Sequence, residues 1–150
     1  VISGYAGGCA EQANYRAVCS GTSGHAEVIQ LEFDDNEIPT EVLLEIFFNL
    51  HDPTTLNRQG ADTGTQYRSV IFYNSPQQET TAEQLIKQIE QDGLWSAPIV
   101  TTLEPCTAFY PAEENHQGYY QQNSYQPYCQ AVISPKIKKL QARYQSLLKT

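Results

Sequence analysis

The chain has 150 residues, enough for one domain with a real hydrophobic core and little room for a second. Its formal net charge of −8 argues against binding the nucleic-acid backbone, where a basic surface supplies most of the affinity. No apolar run approaches the roughly 18–20 residues that span a bilayer and no signal peptide is visible, so neither a membrane nor a nucleic acid is expected as partner, and the reading is cytoplasmic.

The sequence starts at Val1 and contains no Met, and Val1-Ile2-Ser3-Gly4-Tyr5 reads as part of a strand, so a preceding segment is expected, with any targeting signal in it. Residues 26–33 alternate, placing Ile29, Leu31 and Phe33 on an expected core face and Gln30 and Glu32 opposite. Residues 40–50 carry Val42, Leu43, Ile46, Phe47 and Leu50 at helical spacing, with Thr40 as the expected N-cap. A polar loop runs from His51 to about Gln66, and residues 67–73 read as a second strand.

Ser75-Pro76-Gln77-Gln78 has the form of a helix start, with Pro at the first position and a Ser-x-x-Gln capping box. Ala82, Leu85, Ile86 and Ile89 form that helix's expected buried stripe, and Gly93 its stop. Residues 98–103 read as a third strand, 104–129 as an irregular polar and aromatic stretch, and 135–148 as a last amphipathic helix. Lys136, Lys138, Lys139, Arg143 and Lys149 give that end a basic character, expected to be a solvated helix face. Alternating strands and helices predict helices packed on a sheet.

The four cysteines (Cys9, Cys19, Cys106, Cys129) include no Cys-x-x-Cys pair, and His25, His51 and His116 are far apart, so no zinc signature is present. Two disulfides and free redox thiols both remain open. Glu27 is the most informative carboxylate. Strand parity puts it at the start of the Ile29–Leu31–Phe33 face, where desolvation would raise its pKa and suit it to donate a proton. The plain alternative is a strand-end Glu turned to solvent or paired with an Arg.

Tyr15, Asp62 and Tyr67 add two phenols and a carboxyl able to hold a polarised, uncharged oxygen, though each taken alone is more often a packing Tyr or a surface Asp. Cys129, in Tyr125-Gln126-Pro127-Tyr128-Cys129, suits a thiol that travels to meet another sulfur, or a passive buried one. Cys19 reads as packed, and Cys106 offers no signal.

Together these segments resemble the A-type methionine sulfoxide reductases. The matching stretches are Gly4-Tyr5-Ala6-Gly7-Gly8, Tyr15-Arg16-Ala17-Val18-Cys19-Ser20-Gly21, Gly24-His25-Ala26-Glu27-Val28 and His51-Asp52-Pro53. They continue with Arg58-Gln59-Gly60, Asp62, Gly64-Thr65-Gln66-Tyr67-Arg68-Ser69, Phe109-Tyr110-Pro111-Ala112-Glu113, His116-Gln117 and Tyr128-Cys129, in family order and spacing.

The resemblance implies a single domain over 1–150, an α+β two-layer sandwich with a ferredoxin-like core whose first strand and helix are missing from the sequence. It implies reduction of methionine S-sulfoxide, free or in oxidised proteins, by thiols, with thioredoxin as reductant and no metal or organic cofactor. By matched position Glu27 would protonate the sulfoxide oxygen, Tyr15 and Tyr67 would hydrogen-bond it, Asp62 would help order the site, and Cys129 would resolve the sulfenic acid.

The family's nucleophile lies in Gly-Cys-Phe-Trp-Gly, upstream of the Gly-Tyr-Ala-Gly-Gly segment, and that motif is not in this sequence. Cys9 is followed by Ala10-Glu11 rather than Phe-Trp, and the spacing from Gly8 to Tyr15 fits the downstream segment, so Cys9 is expected at a variable loop position. No Gly-rich tail with another cysteine follows Cys129, which favours a single resolving step. The rivals are a sulfoxide-binding relative without a nucleophile and an interaction domain with a degraded site.

Overall fold

The computed structural model describes residues 1–148. The chain forms two compact units, Val1–Glu113 and a smaller one that begins at Glu114.

In the first unit β1 (Ile2–Ala6) is the middle of an antiparallel sheet ordered β2-β1-β7, with β2 at Ala26–Gln30 and β7 at Phe109–Pro111. Gly4 has no room for a side chain here, because a Cβ would stand 2.4 Å from the Phe109 ring. Between β1 and β2 lies the short helix α1 (Tyr15–Cys19), capped by Asn14, whose Oδ1 accepts the Ala17 amide at 2.9 Å. Helix α2 spans Thr40–Leu50, as the apolar spacing predicts. Its N-cap is Pro39, which offers no side-chain acceptor, so Thr40 is the first helical residue rather than the cap.

The polar loop after α2 holds a small hairpin, β3 (Arg58–Gln59) and β4 (Asp62–Thr63), followed by a 3-10 turn at Thr65–Tyr67. Tyr67 therefore belongs to that turn, and the next strand, β5, covers only Val70–Tyr73. Strand β5, helix α3 (Pro76–Asp92) and β6 (Thr102–Pro105) make a βαβ unit with β5 and β6 parallel. The expected third strand is thus displaced toward the C-terminus.

Ser75 caps α3 by accepting the Gln78 amide at 3.2 Å. Gln78 reaches back to the Asn74 amide at 2.8 Å, one residue short of the reciprocal bond of a full capping box. Gly93 ends the helix with φ 67°, a left-handed conformation that suits glycine.

The first unit's core is built from Val18, Ala26, Phe48, Ala82 and Ile89. Helix α2 packs on α3, Phe48 of α2 is fully buried, and the Trp95 indole donates to the Phe48 carbonyl at 3.2 Å. The strand parity predicted for residues 26–33 is overturned. Ile29 is 59% exposed, and Leu31 and Phe33 are also exposed, whereas Ala26 is buried. The strand ends at Gln30, so Leu31 and Phe33 lie beyond it and only Ile29 of the three stands on its face.

The second unit replaces the expected irregular stretch with short helices. A 3-10 turn at Glu114–His116 leads to α4 (Tyr119–Asn123), then a π-helical turn at Cys129–Ile133 runs into α5 (Ser134–Tyr144). Tyr120 and Ser134 hydroxyls meet at 2.9 Å and join α4 to α5. Lys138, Lys139 and Arg143 are exposed along α5; Lys149 lies outside the described residues.

Candidate active site

Tyr15 opens α1, Glu27 is the second residue of β2, Asp62 opens β4 and Tyr67 closes the 3-10 turn after it. Although they come from four separate elements, they act on one another. Partial burial raises the Tyr67 pKa first, and the charges of Glu27 and Asp62 raise it further, with smaller contributions from Cys19 and Tyr15. A phenol among two carboxylates stays protonated and can donate a hydrogen bond.

Glu27 differs from its expected setting. It is exposed, and so is Ile29, the apolar neighbour on its side of β2 expected to help desolvate it. Its place is set by strand pairing: it stands opposite Tyr5 across β1 and β2, and Tyr110 stands opposite Tyr5 across β1 and β7. Directly paired residues share a face, so Glu27, Tyr5 and Tyr110 lie on one side of the sheet. Tyr15 is also exposed, while Tyr67 and Asp62 are half-buried.

Tyr5 and Glu113 complete the cluster, and neither was singled out as a site residue from the sequence. The Tyr5 hydroxyl donates to Glu113 Oε1 at 3.0 Å, and the Tyr15 amide donates to Glu113 Oε2 at 3.0 Å. Tyr5 is buried, and burial followed by Glu113, Glu27 and Cys19 pushes its pKa well above the ordinary phenol range. The contact joins residues 108 positions apart, which no local pattern announces. The one available signal was that both lie in stretches that match the family.

Cys19 follows Val18 in α1 but is exposed rather than packed, and it lies within electrostatic reach of Tyr5 and Tyr67. All four cysteines are free thiols. Cys129 is buried in the π-helical turn of the second unit, so the mobile thiol expected there is held inside. Among the described residues no three His, Cys, Asp or Glu side chains are grouped to hold a metal ion, and no helix is long and apolar enough to cross a membrane.

Comparison with known proteins bears on the family. The family model "Peptide methionine sulfoxide reductase" matches residues 1–148. A peptide methionine sulfoxide reductase MsrA of Chromobacterium violaceum is 51% identical over 148 residues, which covers 99% of this chain and 84% of that protein. The MsrA of Deinococcus radiodurans is 51% identical over 144 residues, covering 96% of this chain and 70% of its own length.

Among solved structures, reduced Mxr1 from Saccharomyces cerevisiae superposes with a TM-score of 0.79 at 36% identity, over 85% of this chain and 73% of that one. Methionine sulfoxide reductase A of Corynebacterium diphtheriae gives 0.68 at 32% identity, over 84% and 65% of the two chains. With an α+β fold, a family match across nearly its whole length and relatives at about half identity, the chain belongs to the peptide methionine sulfoxide reductase family.

Proposed function

We propose that Tyr15, Glu27, Asp62 and Tyr67 are the part of a methionine sulfoxide reductase site that binds and protonates the sulfoxide oxygen. Family membership carries the reaction, reduction of methionine sulfoxide to methionine. The observation that supports the residue roles is the shared environment of Tyr67, whose phenol feels Glu27, Asp62 and Tyr15 together.

The chemistry sets what these residues must do. A sulfoxide oxygen is a strong acceptor and a poor leaving group. Hydrogen bonds from the Tyr15 and Tyr67 hydroxyls polarise the S–O bond, and a proton from Glu27 lets it break. A cysteine thiolate supplied by the family's Gly-Cys-Phe-Trp-Gly segment attacks the sulfur. The sulfide leaves reduced and the oxygen passes to the thiol as a sulfenic acid.

Cys129 then attacks the sulfenic sulfur, forming a disulfide and releasing water, so two thiols supply the two electrons. Reduction of that disulfide by thioredoxin closes the cycle. No metal or organic cofactor has a step in this scheme. The S epimer is the proposed substrate, the two epimers being divided between two enzymes as a general feature of methionine repair. Residues 1–150 are read as one functional domain because the family model runs through both compact units.

The test is intact mass with thiols counted, in a protein that includes the nucleophile segment, before and after one equivalent of methyl sulfoxide. Loss of one thiol pair per sulfoxide reduced, with Cys129 in the disulfide, is the expected result. Sulfoxide reduced without loss of the Cys129 thiol would remove Cys129 from the scheme.

A further inference from the structure

His25 is 1% exposed, and both of its ring nitrogens are engaged by one turn of backbone. The Gly8 amide donates to Nδ1 at 3.1 Å, and Nε2 lies 2.8 Å from the Cys9 carbonyl oxygen. An amide N–H only donates and a carbonyl only accepts. Nδ1 must therefore keep its lone pair and Nε2 must carry the proton, which fixes the neutral Nε2–H form.

His51 provides the contrast. Its Nδ1 lies 2.5 Å from the Phe47 carbonyl and its Nε2 2.7 Å from the Ser69 hydroxyl. A hydroxyl both donates and accepts, so that site suits a charged or a neutral imidazole.

The surroundings of His25 leave the turn little freedom. A Cβ on Gly8 would stand 2.5 Å from the Ser23 carbonyl and 2.7 Å from the His25 ring. Gly7, next to it, has φ +102°. On the other side, the Arg68 guanidinium donates to the Gly24 carbonyl at 3.1 Å and the Thr65 carbonyl at 2.9 Å. Three segments are thus fastened together: Gly7–Cys9, which leads to Tyr15; Ser23–His25, which leads to Glu27; and Thr65–Arg68, which contains Tyr67.

We infer that His25 is a positioning residue which, as the neutral Nε2–H imidazole, clasps the Gly8–Cys9 turn to the start of β2 and so sets Tyr15 relative to Glu27. The inference rests on the oxygen-binding roles proposed for those two residues. His25 acts through them and does not touch the substrate. The rings of Tyr5 from β1 and Tyr110 from β7 face the imidazole at centroid distances of 6.3 and 5.6 Å. Glu27 lies two positions further along the chain, in β2, Arg68 reaches the carbonyl of the preceding residue, and the Cys9 thiol turns to Gln12. A proton placed on Nδ1 would set N–H against the Gly8 N–H and break the clasp.

The experiment is long-range 1H–15N NMR of the His25 ring in the labelled chain, without substrate, with Gly8 amide exchange and the Tyr15 and Tyr67 ring signals followed as pH is lowered. The expected result is a proton on Nε2, a slow Gly8 amide, and loss of that protection together with movement of both Tyr rings as Nδ1 gains its proton. His25→Asn, whose side-chain oxygen can still accept the Gly8 amide, should keep the amide slow and the rings unmoved through that pH range. His25→Gln should not. A proton on Nδ1 at neutral pH, or Tyr rings that stay still while the imidazole titrates, would overturn the inference. Because no sulfoxide is present, these outcomes stand apart from whether the chain binds one.

Discussion

Glu113 accepts the Tyr5 hydroxyl on one carboxylate oxygen and the Tyr15 amide on the other, each at 3.0 Å. A single carboxylate thereby joins the middle strand of the sheet to the first residue of α1. Because Glu113 is among the causes that raise the Tyr5 pKa, Glu113→Gln should bring Tyr5 back toward its ordinary value of 10.0. Phenol titration by NMR, with Tyr5→Phe to assign the signal, checks this. An unchanged Tyr5 titration would mean that Glu113 does not contribute to it.

The raised Tyr5 and Tyr67 pKa values also set the sign of the alkaline stability. A group whose folded pKa lies above its unfolded value stabilises fully below the unfolded value and loses that contribution as pH rises toward the folded one. Folding stability should therefore fall as pH climbs above about 10, where unfolded phenols ionise. Urea unfolding at stepped pH measures it, and Tyr5→Phe should flatten the slope.

Glu27→Gln, in a protein that includes the nucleophile segment, should slow sulfoxide reduction about 10²-fold or more, the scale of a lost general acid. The expectation does not depend on burial, since Glu27 is exposed in this chain. A rate equal to that of the parent would take Glu27 out of the mechanism.

Thiol accessibility orders the cysteines. Cys9 and Cys19 are exposed, Cys106 is intermediate and Cys129 is buried. A thiol-specific reagent should label Cys9 and Cys19 first and Cys129 last, read by peptide mass. Cys129→Ser should allow one turnover and block thioredoxin-coupled recycling. Full recycling in that variant would mean that another thiol resolves the sulfenic acid.

Phe48, on α2, is fully buried. Phe48→Ala should destabilise the chain by about 3–5 kcal/mol, measured by denaturant unfolding.

Much of this was legible before any coordinates. The Ser75 cap and the Gly93 stop marked α3 correctly, because both act on the backbone next to them. The four residues proposed to bind the oxygen came from motif order, and Glu27, Asp62 and Tyr15 all act on the Tyr67 phenol. What failed was inference from periodicity to burial. The alternation of Ile29, Leu31 and Phe33 runs past the strand, which ends at Gln30, and a pattern of apolar residues shows neither where a strand stops nor whether its face is covered. The Tyr5–Glu113 bond and the His25 clasp were invisible for a related reason. Both depend on where the fold brings distant backbone, and an isolated Tyr, Glu or His carries no mark of such a partner.

The most direct test of the central claim is titration of the chain with the separated sulfoxide epimers of N-acetylmethionine amide while the Tyr15 and Tyr67 rings are observed by NMR. The account predicts saturable shifts of both rings with the S epimer, little response to the R epimer, and loss of the S response in Tyr67→Phe and Glu27→Gln. Equal responses to both epimers, or shifts confined to rings outside the cluster, would contradict it.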